Sequence, residues 1–396
     1  MLETGLRGKV RATSVTSLAL SACLALAGLA AACGDDSVVG GSGNGGSEPV
    51  GGNNAGSPPN GGAPTNGGGG ADGGAVADGG GGGVSDGGGG AGCGVLPPLE
   101  TAPDLLSETG LYSDFATETV APYILPYAPR YPLWSDNATK ERWAYIPDPS
   151  CDGPIDTSDM DFWQVPVGSR FWKEFTRDGE RIETRLITRF GPDASDFEFA
   201  TYHWDGSGDA VKISNGLDNA NGTGHDIPPI TLCASCHKSD WRILGFSAIQ
   251  LTHGNGGATM SSLSADGFLS NPLPEGVTIP GSQVEQDALG YLHSNCGNCH
   301  FNGGVGNVPM HLKVLSTETT VDFTEAFLTA VNQGTSNYQC AGSPCDYIEP
   351  LSPSTSAVWL RMSESTMPPF ASEVPDNTGA ATVAAWINSL PLDANN

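Results

Sequence analysis

Apolar and polar residues alternate most clearly between Arg181 and Phe190, where Ile182, Thr184, Leu186 and Thr188 share one side and Glu183, Arg185 and Arg189 the other. A period of two marks a half-buried strand. Arg177-Asp178-Gly179 ahead of it is a turn signal, and residues 170–176 read as the preceding strand. Residues 197–204 predict a third strand, stopped by Asp205-Gly206-Ser207-Gly208, and residues 210–213 a fourth. An antiparallel meander connects them with the least chain. Further on the period lengthens. Val284, Ala288, Tyr291 and Leu292 recur at i, i+4, i+7 and i+8, and Val383, Trp386, Ile387 and Leu390 at i, i+3, i+4 and i+7. These patterns predict an amphipathic helix running into Cys296 and another that closes the chain. The expected fold class is α+β multidomain, with a β-rich antiparallel N-terminal domain followed by a mainly α region.

Composition divides the chain before this body begins. Of 56 glycines in 396 residues, 27 fall within the 59 residues from Gly34 to Gly92, a segment with no Lys, Arg or aromatic residue. Such a stretch buries too little apolar surface to offset its ordering entropy, so it is expected to be a disordered tether. Ahead of it, Arg7, Lys9 and Arg11 precede a small-apolar run from Val15 to Ala32, the layout of a signal peptide. A Cys directly after small residues looks like a bacterial lipoprotein signal. Leu20-Ser21-Ala22-Cys23 has the more usual lipobox letters, but cleavage there leaves residues 24–32 as an apolar stretch on the mature chain. Cys33, followed by Gly34-Asp35-Asp36, is the preferred lipidation site, and Cys23 stays open. The body is expected to be exported and lipid-anchored, facing the periplasm or cell surface. A net charge of -27, from 17 Lys+Arg against 44 Asp+Glu, argues against nucleic acid as a partner.

The chemistry lies in two pentapeptides, Cys233-Ala234-Ser235-Cys236-His237 and Cys296-Gly297-Asn298-Cys299-His300. Cys-x-x-Cys-His is the attachment pattern of c-type haem: two thiols on one helical turn reach the two vinyl groups, and the next imidazole faces the iron. Zinc ribbons bring their Cys pairs much closer together in sequence, and neither motif sits in the βαβ pattern of a thioredoxin-like dithiol. The expected cofactors are therefore two covalent haems c, bound through Cys233, Cys236, Cys296 and Cys299.

The amphipathic helix, the second motif, the loop around Met367-Pro368-Pro369 and the closing helix together resemble a class I cytochrome c domain. That resemblance implies His300 and Met367 as the axial ligands of the second iron, His/Met ligation raising the potential relative to bis-His. Met362 and Met310 are the alternatives. For the first motif, His237 is the proximal ligand and His253 the distal candidate, with His203 and His225 also open. Tyr131-Pro132-Leu133-Trp134-Ser135-Asp136, Val165-Pro166-Val167-Gly168, Glu183-Thr184-Arg185-Leu186 and Leu244-Gly245-Phe246 ahead of Gln250-Leu251 widen the likeness. They resemble signatures of a family of exported bacterial di-haem c-type cytochromes, which implies two haems beside a β-rich domain.

The expected organisation is a signal peptide over 1–32, tether over 33–92, β-rich domain over 93–228, first haem-binding segment over 229–280 and cytochrome c domain over 281–396. Cys340 and Cys345 are spaced to close a small disulfide loop, which leaves Cys93 and Cys151 as a further pair in an exported protein. Five of the eight Trp lie between Trp134 and Trp204, read as core rather than a sugar-binding face. The leading function is electron transfer between redox partner proteins, a basic one being favoured by the acidic charge. A di-haem peroxidase-like enzyme with an open first haem, and a β-domain ligand-binding module with accessory haems, are the alternatives. No nucleophile elbow, phosphate loop or spaced carboxylate pair supports other catalysis.

Overall fold

The computed structural model describes residues 95–395 except 98, 238–242, 255, 273–276, 305–307 and 371, and not the Asn337 side chain. The signal peptide, the tether, Cys23, Cys33 and Cys93 lie outside the described residues. No helix among the described residues is long and apolar enough to cross a membrane.

The expected strands are β5 (Arg170–Arg177), β6 (Glu180–Arg189), β7 (Phe197–His203) and β8 (Val211–Ile213) of a six-stranded antiparallel meander, which β3 (Leu125–Pro126) and β4 (Thr139–Tyr145), not read from the sequence, begin. The expected turn joins β5 to β6, with Asp178 and Gly179 at φ 54° and 82°, the left-handed region that Gly enters without strain. Three two-stranded antiparallel ribbons stand apart from the sheet in hydrogen bonding: β1 (Tyr112–Asp114) with β2 (Thr119–Val120), β9 (Leu217–Ala220) with β10 (His225–Ile227), and β11 (Gly334–Cys340) with β12 (Ser343–Asp346). One sheet face packs Tyr145, Trp172, Leu186, Ala200 and Tyr202 against Leu106, Leu111 and Ile124 of the segment before it.

The other face is also covered, and here the period-two reading needs correction. Ala144 and Phe171 share one continuous core with Phe246, Leu251, Leu289, Leu292, Val383 and Trp386 from the second half of the chain. Glu183, expected on the polar side of its strand, is fully buried, where it pairs with Arg185 and with His225 of β10. Alternation identifies two faces but is blind to a second layer laid over the polar one. Trp163, Trp172 and Trp204 are buried, in keeping with core.

The second half contains α1 (Cys233–Cys236), α2 (Ala248–Leu251), α3 (Met260–Ala265), α4 (Gln283–Asn295), α5 (Glu325–Ala330), α6 (Ala357–Ser363) and α7 (Asn377–Ser389). Only α4 and α7 reach 13 residues, so loops carry more of this half than the expected mainly α region allows. Both long helices start on side-chain caps: Ser282 and Glu285 form a reciprocal capping box, and Asp376 accepts from the Gly379 N–H. They pack on each other where Gly379 leaves room. A Cβ there would stand 2.1 Å from the Tyr291 ring, and one at Gly290 the same distance from Tyr131.

Candidate functional site

Each Cys-x-x-Cys-His segment closes one helical turn, with the His N–H donating to the carbonyl of the first Cys at 2.9 Å in both. The turn puts both thiols of a motif on one side, as the attachment chemistry requires. In the second motif it also explains the residue after Cys296. A Cβ on Gly297 would meet the His293 carbonyl oxygen at 2.7 Å and Lys313 Cα at 2.8 Å.

The second motif lines a cavity with about 1100 Å³ of empty space, counting its open mouth. Cys296, Cys299 and His300 lie on it together with Met367, Pro368 and Pro369, so the proposed proximal and distal residues share one space. Met310 and Met362 line it as well, both nearly buried. Burial, with Arg361 and His311 adding to it, lowers the His300 pKa, which favours the neutral imidazole with one ring nitrogen's lone pair available. Two buried polar atoms at this cavity have no hydrogen-bond partner, His300 Nδ1 and Arg361 Nε. An apolar crevice with a neutral imidazole, a thioether, two thiols and an unsatisfied guanidinium nitrogen fits a c-type haem with its carboxylates.

Two features of this cavity were not read from the sequence. Thr335, Ser336 and Tyr338 reach it from β11, whose ribbon is closed by the Cys340–Cys345 disulfide. Arg361 reaches it from α6 and lies over the Tyr338 ring, 5.1 Å from its centroid. Cys151 is disulfide-bonded too, and its expected partner Cys93 is outside the described residues.

The Tyr131–Asp136 segment straps the cavity walls together. Trp134 N–H donates to Asn295 Oδ1 at 2.7 Å, next to Cys296, and Trp134 Nε1 donates to the Val374 carbonyl at 3.0 Å. Asp136, 1% exposed, accepts from the N–H groups of both Glu373 and Val374 at 2.8 Å. One loop thus ties the end of α4 to the chain that follows Met367.

The first motif lies against the sheet, the His237 ring 5.5 Å from that of Phe199. Cys236 Sγ stands 3.8 Å from Cys299 Sγ, so the two motifs meet. Burial raises the Cys233 thiol and pushes Cys296 up to about 12, whereas the Cys299 hydrogen bond brings Cys236 down to about 7. The distal candidates make other contacts. His253 Nε2 donates to the Ala128 carbonyl at 2.7 Å, His203 Nε2 pairs with Asn221 Oδ1 at 2.8 Å, and His225 Nε2 with Glu183 Oε1 at 2.8 Å. Residues 238–242, directly after His237, are outside the described residues. Among the described residues no three of His, Cys, Asp or Glu converge as a site for a metal ion on their own. No family model, curated protein or solved structure matches the chain.

Proposed function

We propose that this chain is an exported di-haem c-type cytochrome that carries single electrons between partner proteins. The observation that carries the reading is the cavity on which Cys296, Cys299, His300 and Met367 come together from separate segments. Haem bound there supplies a ferric/ferrous one-electron couple. The chain's own residues do the rest: Cys296 and Cys299 hold the porphyrin edge, His300 and Met367 hold the iron, and the apolar walls exclude water. In this reading residues 281–396 are a cytochrome c-type region in which the end of α4, β11, α6 and the Met367 loop line the cavity, and residues 229–280 attach the first haem through Cys233 and Cys236. His237 is that haem's proximal ligand.

The second reading, a peroxidase-like enzyme, is favoured by one observation: His253, His203 and His225 each already hold a hydrogen-bond partner. That would leave the first iron open. Carbon monoxide added to the reduced protein separates the two readings. A carrier binds none at either iron and turns over no peroxide; rapid binding at one haem with peroxide turnover makes it an enzyme. The charge of -27 favours a basic partner, whose electron exchange should slow as salt is raised. Export and lipid anchoring through Cys33 complete the proposal, the anchor keeping the body near a membrane-bound partner.

A further inference from the structure

The meander places three cations in direct register across neighbouring strands, Arg142 of β4 opposite Lys173 of β5, and Lys173 opposite Arg185 of β6. Lys140 lies two residues along the same face, opposite Phe175. Lys140, Lys173 and Arg185 all lie over the Phe175 ring, 5.8, 5.0 and 4.5 Å from its centroid. Like charges directly opposite one another repel, and burial strengthens the repulsion.

One carboxylate on this face stands among four basic side chains, and burial together with the neighbouring cations lowers the Lys173 pKa well below the usual lysine range. Glu183 takes Arg185 in a two-point pair at 2.5 and 2.8 Å, and it also pairs with His225. Lys140 donates to the Ala138 carbonyl. Among the described residues no carboxylate forms an ion pair with Arg142 or Lys173, and Arg142, 7% exposed, keeps its Nε buried without a hydrogen-bond partner. A buried cation left in this state is costly unless an anion joins it. The nearest piece of proposed chemistry is the first motif. Phe199, which contacts His237, is in register with Ile187, two residues beyond Arg185 on the same face.

We propose that Arg142, Lys173 and Arg185 bind the carboxylates of the haem attached at Cys233 and Cys236. The inference rests on the reading of the first motif as a haem site. The covered face of the sheet then neutralises a buried dianion. The positive row also favours the ferrous state, because the extra electron is added beside it.

The test uses holoprotein matured in an exporting host, labelled with carbon-13 at the haem carboxyl groups, with Lys173→Gln, Arg142→Gln and Lys173→Arg. All three are expected to keep two haems per chain. In the two Gln variants one midpoint potential falls by about 59 mV, tenfold in the reduction equilibrium of a one-electron couple. The labelled carboxylate bands in the redox-difference infrared spectrum shift with it. Lys173→Arg restores both signals. Two haems per chain with unmoved labelled bands in both Gln variants would overturn the inference and leave the di-haem reading standing. Should Cys233→Ala leave the haem count unchanged, the first site itself falls, and the inference with it.

Discussion

Cys236 Sγ and Cys299 Sγ lie 3.8 Å apart although 63 residues separate them in the chain. A disulfide needs about 2.05 Å between the sulfurs, so a shift of about 2 Å would join them. The hydrogen bond from Cys299 lowers the Cys236 pKa, so Cys236 can attack an added disulfide such as oxidised glutathione, releasing one thiol, and Cys299 then displaces the second as the Cys236–Cys299 bond forms. Haem-free protein oxidised under mild conditions is expected to cross-link Cys236 to Cys299, read by non-reducing peptide mapping. Bonds only within each motif would mean the two do not meet in solution.

Met367 and Met362 line the same cavity, and the proposed function gives them different roles. Met367→Ala should open the second iron to carbon monoxide and lower its potential, since a thioether favours the ferrous state. Met362, 6% exposed, should behave as core: Met362→Ala costs roughly 2–5 kcal/mol of stability and leaves the ligand spectrum intact. Ligand titration and denaturant unfolding of both variants distinguish the roles.

Asp136 binds two backbone N–H groups just beyond the Met367 loop. Asp136→Ala takes the shared acceptor from both N–H groups, which are only partly buried, at about 1–3 kcal/mol in all. The expected outcome is a lower unfolding midpoint together with easier displacement of Met367 by cyanide. Unfolding at an unchanged denaturant concentration would show that the strap is not needed.

Glu183 gives the sheet an acid limit. Burial pushes its carboxyl up, but Arg185 and His225 outweigh burial and bring it down to about 2, from 4.5 in a free chain. The ionised network therefore contributes fully above pH 4.5, and its contribution fades as pH falls toward 2. By linkage this amounts to roughly 3 kcal/mol. Wild type and Glu183→Gln should accordingly converge in stability across that window, as followed by urea unfolding at stepped pH. Parallel curves would contradict the assignment.

Strands β5 to β8 were readable from local pattern because period two and the Asp178-Gly179 turn act within a few residues; β3, β4 and the ribbons were too short or too irregular to show it. α4 and α7 were readable for the same reason, their apolar positions repeating every third or fourth residue. Motif chemistry picked out Cys296, Cys299 and His300, the resemblance added Met367, and the fold brings all four to one cavity. What escaped was relational. Nothing near Arg142 or Lys173 in the sequence says that a second layer covers them, and the meeting of Cys236 with Cys299 depends on how two distant turns pack. Tyr338 and Arg361 were missed because a polar ribbon residue and a helix cation carry no local mark of facing a cavity.

The central claim is that one chain holds two covalent haems. Intact mass of protein matured in an exporting host, measured after acid extraction, tests it most directly. The expected result is a mature chain plus two haems, falling to one when Cys233 or Cys296 alone is replaced. A chain that releases all its haem on extraction, or carries zinc instead, would contradict it.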